Sequence, residues 1–534
     1  MKTTNLLIKS VLWGASLFMM ASCHQSNVVI NERGEASNGK TFSFISETFV
    51  GDVVRETELG ESFGTPSFPR SRKYEIYLGD IKYELIETKE DKSAWVLGYN
   101  ESTFRGKAKI ASSITYKGVC YKVENIASFA FAGCKELTSI DIPTSIKFIS
   151  DHAFLGCGIT SVNIPSSVTR IWPGAFAGCK NLKSIKVSRN NPVYDSRNNC
   201  NAIIETATNT LVAGYMNSKI PSSVKSIGYE AFVGCEDLSS FAIPEHITSI
   251  EFGAFAHCKK LRSITIPANV THIGSSLFRG CENLTSVVVD KKNSTYDSRD
   301  NSNAIIETAT NTLVSGQANT IIPQSVTTIG DSAFWGCGIT SVNIPSSVTA
   351  IGDGAFYGCG SLASVNIPSS VTAIGSQAFS GCNSLTSVNI PQGVTTIGNG
   401  AFAFCNSLIS VNIPSSVPVI GSLAFGDCSS LTSVNIPQGV KTIRHLAFFG
   451  CNSLTSVNIP SSVTAIEFQA FADCNSLKEI HCAITNPWEL GDGYYIDPFG
   501  DSDITNVYLY VPKGSINEYK AVSPWKNFKN IVEE

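Results

Sequence analysis

Short stretches of alternating polar and hydrophobic residues recur along most of the chain. In residues 387–390 (SVNI) every second side chain is apolar, which is typical of a half-buried strand with Val388 and Ile390 directed inward. Pro391 has no N–H group to give to a ladder, so it closes the strand. Residues 394–397 (VTTI) predict a second short extended piece, and an Ala-Phe pair then places an aromatic ring inside.

This unit repeats at intervals of about 23 residues, and each copy carries a cysteine at the same place. A second level of repetition lies above it: the segment YDSRNNCNAIIETATNTLVAG from Tyr194 recurs as YDSRDNSNAIIETATNTLVSG from Tyr296. A block of three units plus an insertion is therefore duplicated. The cysteines that mark the units are Cys134, Cys157, Cys179, Cys235, Cys258, Cys281, Cys337, Cys359, Cys382, Cys405, Cys428, Cys451 and Cys474.

A single unit cannot be stable alone. Burying about five large side chains contributes roughly 10 kcal/mol, whereas ordering about 23 backbone units costs on the order of 25 to 45 kcal/mol. Stacked units share their walls and pair along parallel ladders, so only the array folds. The pattern predicts a β-rich solenoid of fifteen laps: the thirteen marked by cysteines and two more in the longer intervals.

The chain divides into five predicted segments. Residues 74–125 are charged and predict a cap of β-hairpins, and residues 126–480 predict the solenoid, with hairpin insertions near 190–216 and 292–318. Residues 481–534 predict a C-terminal cap, because the repeat decays there into one strand and a short amphipathic piece. The remaining two segments are a signal peptide, residues 1–22, and a tether, residues 23–73.

The first residues predict export. Lys2 and Lys9 precede a short apolar run, and small residues then lead directly to Cys23. This arrangement resembles the lipobox of bacterial lipoproteins, which implies that Cys23 becomes the first residue of the mature protein and carries lipid. An ordinary cleaved signal with a chance cysteine is the alternative. No later segment reaches 18 apolar residues, so the lipid would be the only membrane anchor.

The unit LTSVNIPxxVTxIGxxAFxxC resembles the BspA-like, or Treponema-type, leucine-rich repeat of bacterial surface proteins. The resemblance extends from Tyr74 to the end of the chain, and the two insertions resemble those of Bacteroidetes members. It implies a leucine-rich repeat superhelix whose Ser-x-Asn strands form a parallel sheet on the concave face. It also implies a surface or secreted protein that binds host proteins, extracellular matrix or other bacteria and is not an enzyme.

Charge and catalytic motifs exclude several function classes. The net charge is −4, from 40 basic and 44 acidic residues, which leaves no basic field for nucleic acid phosphates. None of the seven histidines lies at metal-ligand spacing from another histidine or an acid. No nucleophile elbow or phosphate loop is present. We therefore expect no catalytic residues, no cofactor and no metal.

The repeated cysteines and the insertion segment could indicate disulfide bonds and a calcium site, but both favour structural roles. Thiols stacked at the lap spacing of about 4.8 Å run parallel, so their Cβ atoms stay farther apart than a disulfide prefers, and we expect buried free thiols. The insertion segment 297–303 slightly resembles a calcium loop, but Arg299 falls at an alternate ligand position and opposes a cation. Asx turns are the favoured interpretation of that segment.

The later repeats present a nearly uncharged surface. The interval from Cys337 to Cys474 contains only six acids and bases, and an asparagine occupies the outward strand position of each lap. A ladder of amide-to-amide bonds along the stack is one interpretation. A hydrogen-bonding face for an extended protein or glycan is the other, and the two are compatible. The candidate ligand-binding residues are Asn343, Asn366, Asn389, Asn412, Asn435 and Asn458.

These features predict a non-enzymatic, lipid-anchored binding protein of the cell surface, adhesin-like in function. Its partners would be host or bacterial surface proteins or glycans, with the membrane reached through the lipid and no nucleic acid. The alternative is an envelope or spacer lipoprotein without a specific ligand. The location is predicted as the outer membrane, facing either the cell surface or the periplasm, because residues 24–27 (HQSN) lack the acids that are implied to mark surface export in Bacteroidetes lipoproteins.

Overall fold

The computed structural model describes residues 51–58, 72–88, 91–487, 497–500 and 502–534. The chain winds into a parallel β-solenoid of about 17 turns with repeats of ~23 residues. The predicted fold class is confirmed. There are more turns than the fifteen predicted, because parallel pairing extends into both segments predicted as caps.

Each lap contributes one strand to each of two parallel ladders. In the lap from Cys382, Val388 and Ile390 are buried whereas Asn389 is exposed, as the alternation predicts. The chain then turns, and the N–H of Val394 donates to the carbonyl of Pro391 at 3.0 Å. Residues Thr396–Ile397 form the second strand. We call the two ladders the Ser-x-Asn ladder and the Thr-x-Ile ladder.

The Ser-x-Asn ladder is interrupted three times. Its strands fall into parallel sheets of two, three and nine strands, after an initial pair formed near the N-terminus. The strands are Leu137–Asp141, Ser161–Ile164, Ser184–Val187, Ser240–Ala242, Ser263–Ile266, Ser286–Val289, Ser341–Asn343, Ser364–Asn366, Ser387–Asn389, Ser410–Asn412, Ser433–Asn435, Ser456–Ile459, Glu479–Cys482, Tyr508–Val511 and Asn530–Glu533.

The Thr-x-Ile ladder consists of two-residue strands, each with a buried isoleucine. They are Phe148–Ile149, Arg170–Ile171, Ser226–Ile227, Ser249–Ile250, His272–Ile273, Thr328–Ile329, Ala350–Ile351, Ala373–Ile374, Thr396–Ile397, Val419–Ile420, Thr442–Ile443 and Ala465–Ile466. The insertions add Tyr194–Asp195, Ile203–Glu205, Thr210–Ala213, Tyr296–Asp297, Ile305–Glu307 and Thr312–Ser315, with 3-10 turns at Arg197–Asn199 and Arg299–Asn301.

A column of phenylalanine rings fills the core between the ladders. The rings from Phe334 to Phe471 stack with centroids 5.0 to 5.5 Å apart and interplanar angles of at most 8°. This spacing is close to the strand separation of about 4.8 Å, so each ring covers the next with little offset along the axis. The phenylalanines of the Ala-Phe pairs therefore form the core of the laps that contain them.

The cysteines complete the turn that follows each phenylalanine. The Sγ of Cys405 donates to the carbonyl of Phe379 in the preceding lap at 3.2 Å, and Cys428 bonds to Phe402 in the same way. The residue before each cysteine adopts positive φ, as Gly381 does at 73°, which explains the repeated Gly-Cys pairs. The thiols are therefore hydrogen-bond donors as well as the small core residues that the sequence suggested.

Antiparallel and parallel pairing meet at the N-terminal end. Strands β1 (Gly51–Glu58), β2 (Arg72–Leu78), β3 (Ile81–Glu87) and β4 (Lys92–Tyr99) form an antiparallel meander. Strands β5 (Gly106–Lys109), β6 (Ser113–Tyr116) and β7 (Val119–Ile126) follow, and β4 pairs in parallel with β7. The segment predicted as a tether therefore contains β1, and the parallel ladder begins before residue 126.

The C-terminal end continues the Ser-x-Asn ladder. Strand Tyr508–Val511 pairs in parallel with Glu479–Cys482 and then with Asn530–Glu533. Helix α1 (Ile516–Ala521) and a 3-10 turn at Trp525–Asn527 connect the last two strands. Both place an aromatic side chain in the core, so this end of the array is covered by packed rings.

Each insertion ends one segment of the Ser-x-Asn ladder and covers its edge. After strand Ser184–Val187, the N–H groups of Ile185 and Val187 donate to Asn201 Oδ1 and Ser196 Oγ at 2.8 and 3.1 Å. The second insertion repeats these contacts with Asn303 and Ser298. Side chains thus satisfy an edge that would otherwise expose strand N–H groups.

A buried ionic cluster joins laps on both sides of the first insertion. Glu230 contacts His152 Nε2 at 3.3 Å and Arg279 at 3.8 Å, and the Arg279 guanidinium lies 4.9 Å from the Trp335 ring centre. We call His152, Glu230 and Arg279 the Glu230 cluster. A Cβ atom on Gly174 would come within 2.7 Å of both Glu230 and His152, so a glycine is required between them.

Candidate ligand-binding face

The six predicted asparagines form one column on the nine-stranded sheet. All six side chains are exposed. The strand register pairs each one with the next, from Asn343 with Asn366 through Asn435 with Asn458. The outward serines form a parallel column two residues earlier. We call the outward side chains of this sheet the Ser-x-Asn face.

The amides of this column are not bonded to one another. Among the described residues, no hydrogen bond joins two of the six side chains, so the predicted amide ladder is not formed there. Amide pairs occur instead on the turns after the cysteines, as in Asn406 with Asn383 at 3.4 Å and Asn475 with Asn452 at 3.1 Å. The column amides therefore keep donors and acceptors available for a ligand.

Fixed charge is absent from the strands of this face between Ser341 and Ile459. The six acids and bases of the interval lie on turns or directly beside strands of the Thr-x-Ile ladder instead. One of them, Asp427, is half-buried, and burial, with the nearby charge of Asp473, raises its pKa to about 6. Recognition by these strands can therefore use amides and hydroxyls but not ion pairs.

The column ends in a polar and aromatic cluster that the sequence analysis did not single out. His481 follows Asn458 in the register, and Tyr510 follows His481. The His481 and Tyr510 rings stack at 4.5 Å between centroids, and His481 Nδ1 lies 2.9 Å from a carboxylate oxygen of Glu534. The alternation in residues 508–511 (YLYV) could have indicated that Tyr508 and Tyr510 share a face.

The cysteine column offers little reactivity. Burial raises the pKa of the Cys359 and Cys474 thiols to about 12. Every cysteine in the described part of the chain is free. Cys157 and Cys179 are a special case, because their sulfur atoms lie 3.6 Å apart and in contact.

The segment that resembled a calcium loop is held by an arginine. Arg299 Nε donates to both carboxylate oxygens of Asp297 at 2.8 and 3.0 Å, and the Arg299 N–H donates to Asp297 Oδ1 at 3.2 Å. The first insertion contains the same contacts between Arg197 and Asp195. The Asx-turn interpretation is confirmed, and the aspartate oxygens are already engaged.

Three histidines contact carboxylates. His152, His272 and His481 each lie within 4 Å of an acid. In the ranges that the structure describes, no three histidine, cysteine or acidic side chains are grouped to hold a metal ion.

No helix in those ranges has the length and apolarity needed to cross a membrane. Cys23 and the predicted signal peptide lie outside the described residues.

The repeats match a family model, described as the BspA type leucine rich repeat region. Six copies are matched, at residues 100–209, 214–313, 314–432 and 397–487. The chain belongs to this BspA type family. Among curated proteins, none matches.

Several solved structures are similar to this BspA type chain. A leucine rich cell surface protein from Faecalibacterium prausnitzii is 27% identical over 78% of this chain and 95% of its own, with a TM-score of 0.37. A leucine-rich repeat protein from Bacteroides ovatus is 24% identical over 86% and 99%, with a TM-score of 0.38. One from Eubacterium ventriosum is 23% identical over 80% and 94%, with a TM-score of 0.43.

Proposed function

We propose that this protein is a lipid-anchored, non-enzymatic binding protein of the outer cell surface, adhesin-like, whose ligands are host or bacterial surface proteins or glycans. The observation that carries the proposal is the column of six exposed asparagines, aligned in register and not bonded to each other. The BspA type family and a relative described as a cell surface protein support the location. Anchoring rests on Cys23 alone.

Binding on this face should be weak for each lap and additive along the array. An amide hydrogen bond contributes about 1 kcal/mol, so useful affinity needs several laps engaged at once. Because screening acts on charges and the strands from Ser341 to Ile459 carry none, affinity should change little between low and high salt.

The test replaces Asn366, Asn389, Asn412 and Asn435 together by serine. The matched control makes the same change at four exposed asparagines on the turns: Asn383, Asn406, Asn452 and Asn475. Melting temperatures show whether both variants fold. The first variant should lose at least about tenfold in adhesion to target cells, whereas the control should bind as the parent does. Loss in the control alone would place the ligand elsewhere.

Location is tested separately on whole cells. Antibody against the repeats should bind intact cells, and external protease should remove the repeats. If protease leaves the repeats intact until the outer membrane is opened, the protein faces the periplasm and the spacer function becomes the better account. The absence of acids in residues 24–27 (HQSN) is the observation that favours that second candidate.

A further inference from the structure

The outward columns of the Ser-x-Asn face change character at their C-terminal end. The serine column passes from Ser456 to Glu479 and then to Tyr508, and the asparagine column passes from Asn458 to His481 and Tyr510. Two tyrosines therefore lie at the C-terminal end of the two columns of hydroxyls and amides. Both lie on the same outward surface, because the register is continuous across these strands.

The two tyrosines differ in how accessible their rings are. Tyr510 is stacked on His481, with the two rings almost parallel at 6°. Tyr508 is 47% exposed, and its ring centre lies 6.3 Å from that of Tyr510. Tyr510 is therefore held in place by its neighbours, whereas Tyr508 presents open aromatic surface next to the array.

Two carboxylates contact the His481 ring, which stacks on Tyr510. Glu534 is held by His481 Nδ1 at 2.9 Å, and Glu479 lies 3.7 Å from the other ring nitrogen. Both acids keep exposed oxygens, with side chains about half accessible at 48% and 51%. Such oxygens accept hydrogen bonds from hydroxyl groups.

The chemistry of this surface favours one class of occupant. Amides and hydroxyls both donate and accept hydrogen bonds, which suits a ligand rich in hydroxyl groups. The uncharged laps favour a neutral ligand, because an ionic group would lose its hydration there and gain no counter-ion. An exposed aromatic ring with its electron-rich face attracts the weakly positive C–H groups on one side of a sugar ring.

The distance between successive laps matches the repeat of a sugar chain better than that of a peptide. Laps succeed one another at about 4.8 Å. An extended peptide laid along the stack would present side chains on one face only every ~6.8 Å, so its contacts would fall out of step with the asparagines after two laps. An extended chain of six-membered sugar rings advances by nearly one lap spacing per ring, so each lap can meet the same group of successive rings.

We propose that the Ser-x-Asn face binds an uncharged polysaccharide lying along the asparagine column, with one sugar ring stacked on Tyr508. This inference rests on the proposed function and specifies its ligand class. Glu479 and Glu534 accept hydroxyl hydrogens of that ring, and His481 keeps Glu534 in position. The asparagines of the preceding laps bind the following rings.

The test is electrophoresis of the full mature chain through native gels that contain one polysaccharide each. The neutral probes are galactomannan, mixed-linkage β-glucan and dextran, and the anionic probe is polygalacturonate. At least one neutral probe should retard the parent protein, with no change when salt is added. The Tyr508→Ala variant should bind about fivefold more weakly, whereas Tyr508→Phe, which keeps the ring, should bind nearly as the parent does.

Tyr229→Ala is the matched control, because Tyr229 is 55% exposed and lies outside this face. Melting temperatures exclude unfolding of the variants. Retardation by polygalacturonate only, or by none of the neutral probes, would overturn the inference. Neutral-probe binding by Tyr508→Ala that is as strong as that of the parent would also overturn it. Adhesion to cells without binding to any neutral polysaccharide would refute this ligand class while leaving the proposed function in place.

Discussion

Removing the charge of Glu230 should weaken the middle of the solenoid far more than an equivalent change at the surface. The Glu230 side chain is only 8% exposed and contacts His152 and Arg279, which come from laps on either side. Glu230→Gln keeps the volume but leaves the guanidinium, itself 9% exposed, without its counter-ion. The second copy of the duplicated block has Ser332 at the position of Glu230, so the cluster is specific to the first.

The expected loss in unfolding free energy follows from the burial of Glu230 and Arg279. Removing one partner of a buried ion pair costs about 3 to 5 kcal/mol, because the remaining charge stays desolvated. Arg279 keeps its contact with the Trp335 ring, and His152 is 22% exposed, so water compensates part of the loss. We therefore expect a loss of about 3 kcal/mol, at the lower end of that range.

The loss should depend on pH through His152. Burial alone would lower the pKa of His152, but the hydrogen bond and charge of Glu230, with Asp151, raise it above its ordinary value. A raised folded-state pKa contributes stability that is complete below about pH 6.5 and disappears as the pH rises through the folded value. The difference in stability between parent and variant should therefore shrink as the pH rises above about 6.5, leaving the share due to Arg279.

The stabilities of parent and variant should be compared above pH 6.5 for a second reason. Burial, with the charges of Arg279 and Lys259, lowers the pKa of His257 to about 4. That histidine destabilises the folded state as the pH falls from about 6.5 towards 4, which is the opposite trend. Working above this range keeps the two contributions apart.

Urea unfolding followed by circular dichroism gives the global stability, and hydrogen exchange gives the local one. Exchange is needed because repeat arrays can open locally. The control is Glu236→Gln, which removes an ion pair with Lys180 at 2.6 Å in which both side chains are substantially exposed. It should cost less than about 1 kcal/mol. Equal losses in the two variants, or protection lost only far from residues 152–279, would refute the reasoning.

Three further outcomes are expected. Asp427→Asn should stabilise the protein by about 2 kcal/mol at pH 8 but not at pH 4. Because the folded-state pKa of Asp427 is raised to about 6, the parent protein loses stability as the pH rises above the ordinary aspartate pKa. A stability difference that does not depend on pH in thermal melts would contradict this. The column cysteines should react with alkylating agents only after unfolding. Under added oxidant, Cys157 and Cys179 should form the first disulfide, because their sulfur atoms are in contact. Mass spectrometry that finds other pairs oxidised first would contradict this contact. Cys23→Ala should move the mature protein from the membrane to the soluble fraction and abolish palmitate labelling, and label that persists would exclude acylation at this residue.

Local pattern was sufficient for the repeated part of the fold. The alternation in residues 387–390, the ladder-breaking Pro391 and the Ala-Phe pair together specify which side chains lie inside, and the structure buries those residues. This works because every lap has the same neighbours, so one unit and its copies above and below contain nearly all the relevant contacts. The six candidate asparagines could be placed on one face for the same reason.

Where laps differ from their neighbours, the sequence was less informative. The amide ladder was a reasonable expectation from stacked asparagines, but side-chain rotamers decide whether amides bond to each other or point to solvent. Tyr508 joins the Ser-x-Asn face only because its strand continues the parallel pairing after the repeat has decayed. Nothing in the linear spacing of His481 and Glu534 indicated that they would touch.

The sequence by itself determined the solenoid, its repeat length, its inward and outward residues and its nearly uncharged surface, since all of these follow from periodicity and composition. Only the tertiary structure decided how the two insertions divide both ladders into separate sheets. The same arrangement brings Glu230 to His152, because the insertion lap supplies no Ala-Phe turn and the laps on either side of it come together there. Contacts between laps separated by an irregular segment depend on how that segment packs, and no local pattern records that packing.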